Sequence, residues 1–176
     1  DIQRVFNEMH ALRNINHPNV IQLYDVIDTP DHIGLVLEYC DGGELGRLLT
    51  TLGIIPVEQA RSLFSQIVRG VLYCHAKNVI HRDLKLENIL LTKAIGPSGH
   101  PVAVIADFGL ARSMGDGGDD AADDGAPNED GRPKRRVRNL DPTACTGSFL
   151  YMSPEVLRGE AYDASADVFS LGCMIA

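Results

Sequence analysis

Apolar side chains at Ile2, Val5, Phe6, Met9 and Leu12 recur in steps of three and four, which predicts a helix from Ile2 to Asn14. Asn16-His17-Pro18-Asn19 stops it. Val20 to Ile27 and Ile33 to Tyr39 read as two strands, and the intervening Asp28-Thr29-Pro30-Asp31 suits an antiparallel hairpin. Gly42 and Gly43 let the chain turn into a further helix. Pro56 opens a longer one, in which Ala60, Leu63, Phe64, Ile67, Val68, Val71 and Leu72 form the apolar stripe of a core helix. Tyr73, Cys74 and His75 end it, with His75 read as a packed or capping residue without chemistry. Val79-Ile80 and Ile89-Leu90-Leu91 read as buried strand ends. Gly96-Pro97-Ser98-Gly99 is a turn, Val102 to Ala106 a strand, and Ala161 to Ala176 a last apolar helix.

Between the strand ends Val79-Ile80 and Ile89 to Leu91 lies a short run of charged and amide side chains, and these polar residues must turn toward a cleft. Asp83, Lys85 and Asn88 fall in this run. An Asp accepts a proton from a hydroxyl, a Lys neutralises phosphate charge, and an Asn offers its carbonyl oxygen to a hard cation. Asp107 follows the strand Val102 to Ala106 and precedes Phe108-Gly109, where a carboxylate is free to face a cation.

The hydrophobic pattern fails from Met114 to Asp141. Asp116, Asp119, Asp120, Asp123, Asp124, Glu129 and Asp130 are followed by Arg132, Lys134, Arg135, Arg136 and Arg138. Such a composition predicts disorder, with the acidic block loosely paired to the basic one. Over the whole chain, 176 residues with 44% hydrophobic content suffice for a sizeable core in one domain or a large part of one. A net charge of −8 argues against nonspecific nucleic-acid binding. The longest apolar runs fall far short of the ~20 residues of a membrane helix, and neither a membrane span nor a signal peptide is expected from these residues. Cys40, Cys74, Cys145 and Cys173 have no paired spacing, which suits reduced thiols in a cytosolic or nuclear protein.

The run His81-Arg82-Asp83-Leu84-Lys85-Leu86-Glu87-Asn88 resembles the H-R-D-L-x-x-x-N catalytic loop of protein kinases, and Asp107-Phe108-Gly109 resembles their D-F-G. Any one tripeptide alone would occur by chance in roughly one chain in fifty of this length; the ordered set is specific. Ser153-Pro154-Glu155 resembles A-P-E with Ser for Ala, and Asp167-Val168-Phe169-Ser170-Leu171-Gly172 resembles the D-x-W-S-x-G of helix F with Phe for Trp. Lys85 is typical of serine/threonine kinases. Ile21 to Tyr24 with Leu35 to Glu44 most resembles the AMP-activated and calcium/calmodulin-dependent branch.

The resemblance implies an α+β, protein-kinase-like fold: a partial small lobe and hinge over 1–39, with helix C and two strands, and a large lobe over 40–176 up to helix F, with 114–141 an activation-segment insertion. It makes Asp83 the proton acceptor for a Ser or Thr hydroxyl of a protein substrate, has Lys85 steady the γ-phosphoryl group of ATP, and gives Mg²⁺ to Asn88 and Asp107. It places Glu8 where the family's glutamate pairs with a strand lysine, Leu37 as gatekeeper, Glu38 to Cys40 as hinge, Glu44 near ribose or peptide, and Leu90 in the nucleotide site. Ser148 would contact Asp83 and Lys85, Phe149 to Met152 would form a substrate shelf, and Asp167 would brace the catalytic loop. Thr143 and Thr146 are the candidate sites for an upstream kinase, their phosphate bridging to Arg82. No Gly-rich loop or strand lysine precedes Glu8, so these residues alone are expected to bind ATP poorly and phosphorylate little. The rival reading is a noncatalytic kinase-like binding or scaffold module.

Overall fold

A computed structural model describes residues 2–95, 100–113, 121–122, 136–137 and 149–175. Helix α1 (Ile2–Leu12) is shorter than predicted, its end tightened by Arg13 N–H on the Met9 carbonyl and Ile15 N–H on that of Leu12. Strands β1 (Leu23–Asp28) and β2 (Ile33–Leu37) form the antiparallel hairpin, with Asp28 opposite Ile33 and an irregularity between Leu23 and Asp25. Val20 and Ile21 are not part of β1. Their backbone instead bridges to Ile105, with Ile21 N–H on the Ile105 carbonyl at 2.8 Å, so this stretch ties the hairpin to the body of the protein.

Strand β3 (Gly43–Glu44) follows a turn that only glycine fits: a Cβ on Gly42 would lie 2.6 Å from the Leu91 carbonyl oxygen, and Gly43 has φ +76°. Helices α2 (Leu45–Leu52) and α3 (Val57–Ala76) come next. Leu63, Ile67, Val71 and Cys74 are buried along α3, but Leu72 is 60% exposed, contrary to the predicted stripe. Leu72 lies nine residues from Leu63, about two and a half turns at ~3.6 residues per turn, and so faces the opposite way.

Strand β4 (Val79–Ile80) leads through a single 3₁₀ turn, Leu86–Asn88, into β5 (Ile89–Ile95), which pairs antiparallel with β6 (Pro101–Ile105) and with β3. Strand β7 (Arg112–Ser113) returns to β4. The predicted turn at 96–99 lies outside the described residues. Within the charged segment, β8 (Ala121–Ala122) and β9 (Arg136–Val137) pair antiparallel; the rest of 114–141 lies outside the described residues. A 3₁₀ turn, Phe149–Tyr151, and the short α4 (Pro154–Leu157) precede α5 (Ser165–Ile175). That last helix begins later than predicted because Asp163 turns the chain, accepting the Ser165 N–H at 2.8 Å on its carboxylate.

One core joins Leu12, Ile15, Val20 and Ile21 to Leu63, Ile67 and Val71 of α3, to Ile89 and Leu91 of β5, to Ala103, Val104 and Ile105 of β6, and to Phe108. A second, smaller cluster holds Met152, Val156, Tyr162 and Ala166. Burying each large aliphatic side chain contributes roughly 1.5–3 kcal/mol, so the segment between β4 and β5 rests on a rigid base.

Candidate active site

The loop between β4 and β5 has a strained residue at its second position. Arg82 has φ +69°, a left-handed conformation that a side chain disfavours by on the order of 1–3 kcal/mol. The carboxylate of Asp167, from the first turn of α5, holds it there. Its Oδ1 accepts the Arg82 N–H at 2.9 Å, and its Oδ2 accepts the His81 N–H at 2.9 Å and the His75 Nε2–H at 2.8 Å. The Arg82 guanidinium runs sideways, donating from Nε to the Leu110 carbonyl and from Nη1 to the Tyr162 hydroxyl at 2.6 Å. Burial pushes the Tyr162 phenol up, against the pull of Arg82 beside it.

Asp83 follows directly. It is buried, and its Oδ2 accepts Lys85 Nζ–H at 2.6 Å and Asn88 Nδ2–H at 3.2 Å. Asn88 Nδ2 also donates to the Asp83 carbonyl at 2.8 Å, closing the loop on itself. The remaining oxygen, Asp83 Oδ1, is buried and has no hydrogen-bond partner among the described residues. His81 sets the approach: its Nε2 faces the Ala106 carbonyl at 3.0 Å and must carry the hydrogen, which leaves Nδ1 to accept the Asp83 N–H at 3.3 Å. Its ring packs against Phe108, with centroids 4.6 Å apart. The buried imidazole therefore joins the Asp83 loop to the Asp107 turn.

Ile89 lies opposite Ile105 in the β5–β6 ladder, and the Ala106 N–H donates to the Asn88 carbonyl at 2.9 Å. Asn88 and Asp107 therefore leave the same end of the hairpin. Asp107 is exposed at φ +60°, and its Oδ1 accepts the Gly109 N–H at 3.4 Å. Because the Asn88 Nδ2 is turned to Asp83, the amide oxygen points to the other side. An amide oxygen and a carboxylate make a hard donor pair, which suits Mg²⁺ completed by water and phosphate oxygens. Helix α1 docks on this turn through Asn7 Nδ2, which donates to the Gly109 carbonyl at 3.2 Å. Burial pushes the Glu8 carboxyl up and the nearby Asp107 charge adds to it, opposed by the Phe108 backbone N–H.

The other predicted residues form a second group. Leu37 closes β2 opposite Leu23, the Glu38 N–H donates to the Gln22 carbonyl at 2.9 Å, and Glu44 pairs in register with Leu90. The Cys40 thiol is pushed up to about 11, by burial first and then by the charges of Glu38 and Asp41. Cys40, Cys74 and Cys173 are free. Thr143, Cys145, Thr146 and Ser148 lie outside the described residues. Phe149 and Leu150 are exposed, at 52% and 84%, while Met152 is buried in the second core. Sequence reasoning gave no role to His75, His81 or Tyr162. The motif that contains His81 was visible, but the partners of His75 and Tyr162 lie 92 and 80 residues away.

The fold and this loop are those of a protein-kinase-type domain. The protein kinase domain model matches residues 1–176, and the chain belongs to the protein kinase family. It is 37% identical over 173 residues, 98% of its length, to the serine/threonine-protein kinase ATG1c of Arabidopsis thaliana, of which it covers 20%. It is 34% identical over 171 residues, 97% of its length, to the serine/threonine-protein kinase SAPK2 of Oryza sativa subsp. indica, covering 43% of that protein. The same identity and coverage of this chain hold for the abscisic acid-inducible protein kinase of Triticum aestivum, of which it covers 44%. The chain thus spans less than half of these curated relatives. Among the described residues no helix is long and apolar enough to cross a membrane.

Proposed function

We propose that this chain carries the catalytic face of a serine/threonine protein kinase, which transfers the γ-phosphate of ATP to a Ser or Thr hydroxyl of a protein substrate. The observation that carries this reading is the asymmetry of Asp83: one oxygen is held by Lys85 and Asn88, and the other has no hydrogen-bond partner among the described residues, which leaves it to accept from a hydroxyl. Asp83 orients the acceptor and takes its proton as the oxygen attacks phosphorus. Lys85 keeps the Asp83 carboxylate in place and lends positive charge to the phosphoryl group in transit. Asn88 and Asp107 are the residues that would hold Mg²⁺, which when bound neutralises charge on the ATP phosphates.

Leu37, Glu38, Cys40 and Leu90 form the adenine side of the site, Glu44 the ribose or peptide side, and Glu8 the acidic partner for a lysine at the phosphates. An upstream kinase acting at Thr143 or Thr146 would introduce a phosphate for Arg82, whose guanidinium already serves Leu110 and Tyr162. Cytosol or nucleus is the compartment that fits free thiols. The test is γ-phosphate transfer by the protein as expressed from its gene, with Mg²⁺ and a Ser/Thr protein substrate. Asp83→Asn should lower kcat by about 10²–10⁴-fold, and transfer surviving that change would sink the assignment of the base.

A further inference from the structure

Strand β6 pairs with β5 along one edge; its other edge is left to side chains and a loop, yet its polar groups are matched in turn. The Pro101 carbonyl accepts Gln66 Nε2–H at 3.2 Å, and the Ala103 N–H donates to Gln66 Oε1 at 2.9 Å. The Ala103 carbonyl accepts Asn19 Nδ2–H at 2.9 Å, and the second Asn19 Nδ2 hydrogen goes to Gln66 Oε1 at 3.2 Å. The Ile105 N–H donates to the Asn19 carbonyl at 3.0 Å. The Gln66 amide thus presents an N–H and a C=O to β6 as a neighbouring strand would.

Gln66 sits on the core face of α3 between Leu63 and Ile67, only 6% exposed. Filling that space would need nothing more than an apolar side chain. A fully satisfied buried amide instead specifies one lateral position for the strand. Close packing supports the same fit: a Cβ on Gly70 would lie 2.7 Å from Ile105 Cδ1 and 2.8 Å from the Asn19 carbonyl oxygen. Two residues beyond Ile105 the chain reaches Asp107.

We infer that Gln66 is a positioning residue for Asp107, its side-chain amide standing in for a strand at the open edge of β6 and so fixing Asp107 relative to Asn88. The inference rests on the proposed role of Asp107 toward Mg²⁺. The test is amide hydrogen exchange on the whole chain, with Mn²⁺·ATP as a paramagnetic probe. Gln66→Leu should speed exchange at Ala103, Ile105, Phe108 and Gly109 by at least about tenfold while the α3 amides keep their protection, as local opening requires. It should also weaken Mn²⁺ broadening of the Phe108 and Gly109 signals.

Gln66→Glu supplies the readout that a space-filling role would not move. Asn19, Ser62 and the backbone of Pro101 and Ala103, which meet this side chain, carry no charge. Burial raises the pKa of the introduced carboxyl, and only its protonated form can donate to the Pro101 carbonyl. Protection and Mn²⁺ broadening in Gln66→Glu should therefore recover between about pH 8 and about pH 5. Unchanged exchange in Gln66→Leu, a uniform rise over the whole chain, or no pH recovery in Gln66→Glu would each overturn the inference. A wild-type protein, as expressed from its gene, that shows no Mn²⁺·ATP broadening would count against the proposed function, and the exchange pattern decides the role of Gln66 by itself.

Discussion

Two buried aspartates, Asp167 and Asp83, stand on opposite sides of the same loop and are treated in opposite ways. Asp167, 1% exposed, has both oxygens engaged by three donors, two of them backbone N–H groups of the loop itself. Asp83 has one oxygen engaged by Lys85 and Asn88 and one without a hydrogen-bond partner among the described residues. Protein interiors rarely leave a carboxylate oxygen unsatisfied, because doing so costs about 1–3 kcal/mol or more. The floor of the loop therefore spends its charge on stability, and the mouth keeps the carboxylate to which we assign the proposed chemistry.

The strongest way to break this contrast is to empty the floor. Asp167→Ala would leave the N–H groups of His81 and Arg82 and the His75 ring without an acceptor, and Arg82 in its left-handed conformation without a brace. It should lower stability by about 3–5 kcal/mol in urea denaturation. Tyr162→Phe should cost less, about 1.5–3 kcal/mol, by removing one hydrogen bond to a charged group, Arg82.

A smaller effect is expected at the mouth. Glu8 has its carboxyl raised by burial and by Asp107, so its contribution to folding is present in acid and is lost as pH rises through the raised value. Glu8→Gln should flatten that part of the stability profile and raise the melting temperature at neutral pH. A melting curve at pH 7 that falls on substitution would show that the Glu8 charge is held by a partner instead.

Asp83, Lys85 and Asn88 were legible because they lie within six residues of one another and between two apolar anchors, so a local pattern carries them. The α3 core face was legible from its spacing, apart from Leu72, which continues a four-residue row that drifts around the helix until it faces solvent. What stayed hidden was set by distance along the chain. Val20 and Ile21 read as part of a hairpin strand until Ile105 claims their backbone, and no local pattern ties Gln66 to Pro101 and Ala103, 35 and 37 residues further on. The Asp167 brace entered through resemblance to kinases; its dependence on His75 did not, because a lone histidine near a helix end carries no sign of a carboxylate 92 residues later.

The most direct test compares the thermal stability of Asp83→Asn and Asp167→Asn in the same chain. An asparagine at 167 turns an Nδ2 donor toward N–H groups that need acceptors, whereas one at 83 still offers an oxygen to both Lys85 and Asn88. Asp167→Asn should lower the melting temperature by roughly 6–15 °C, and Asp83→Asn should stay within about 3 °C of wild type. Equal losses in the two variants would contradict the division between a structural and a chemical aspartate.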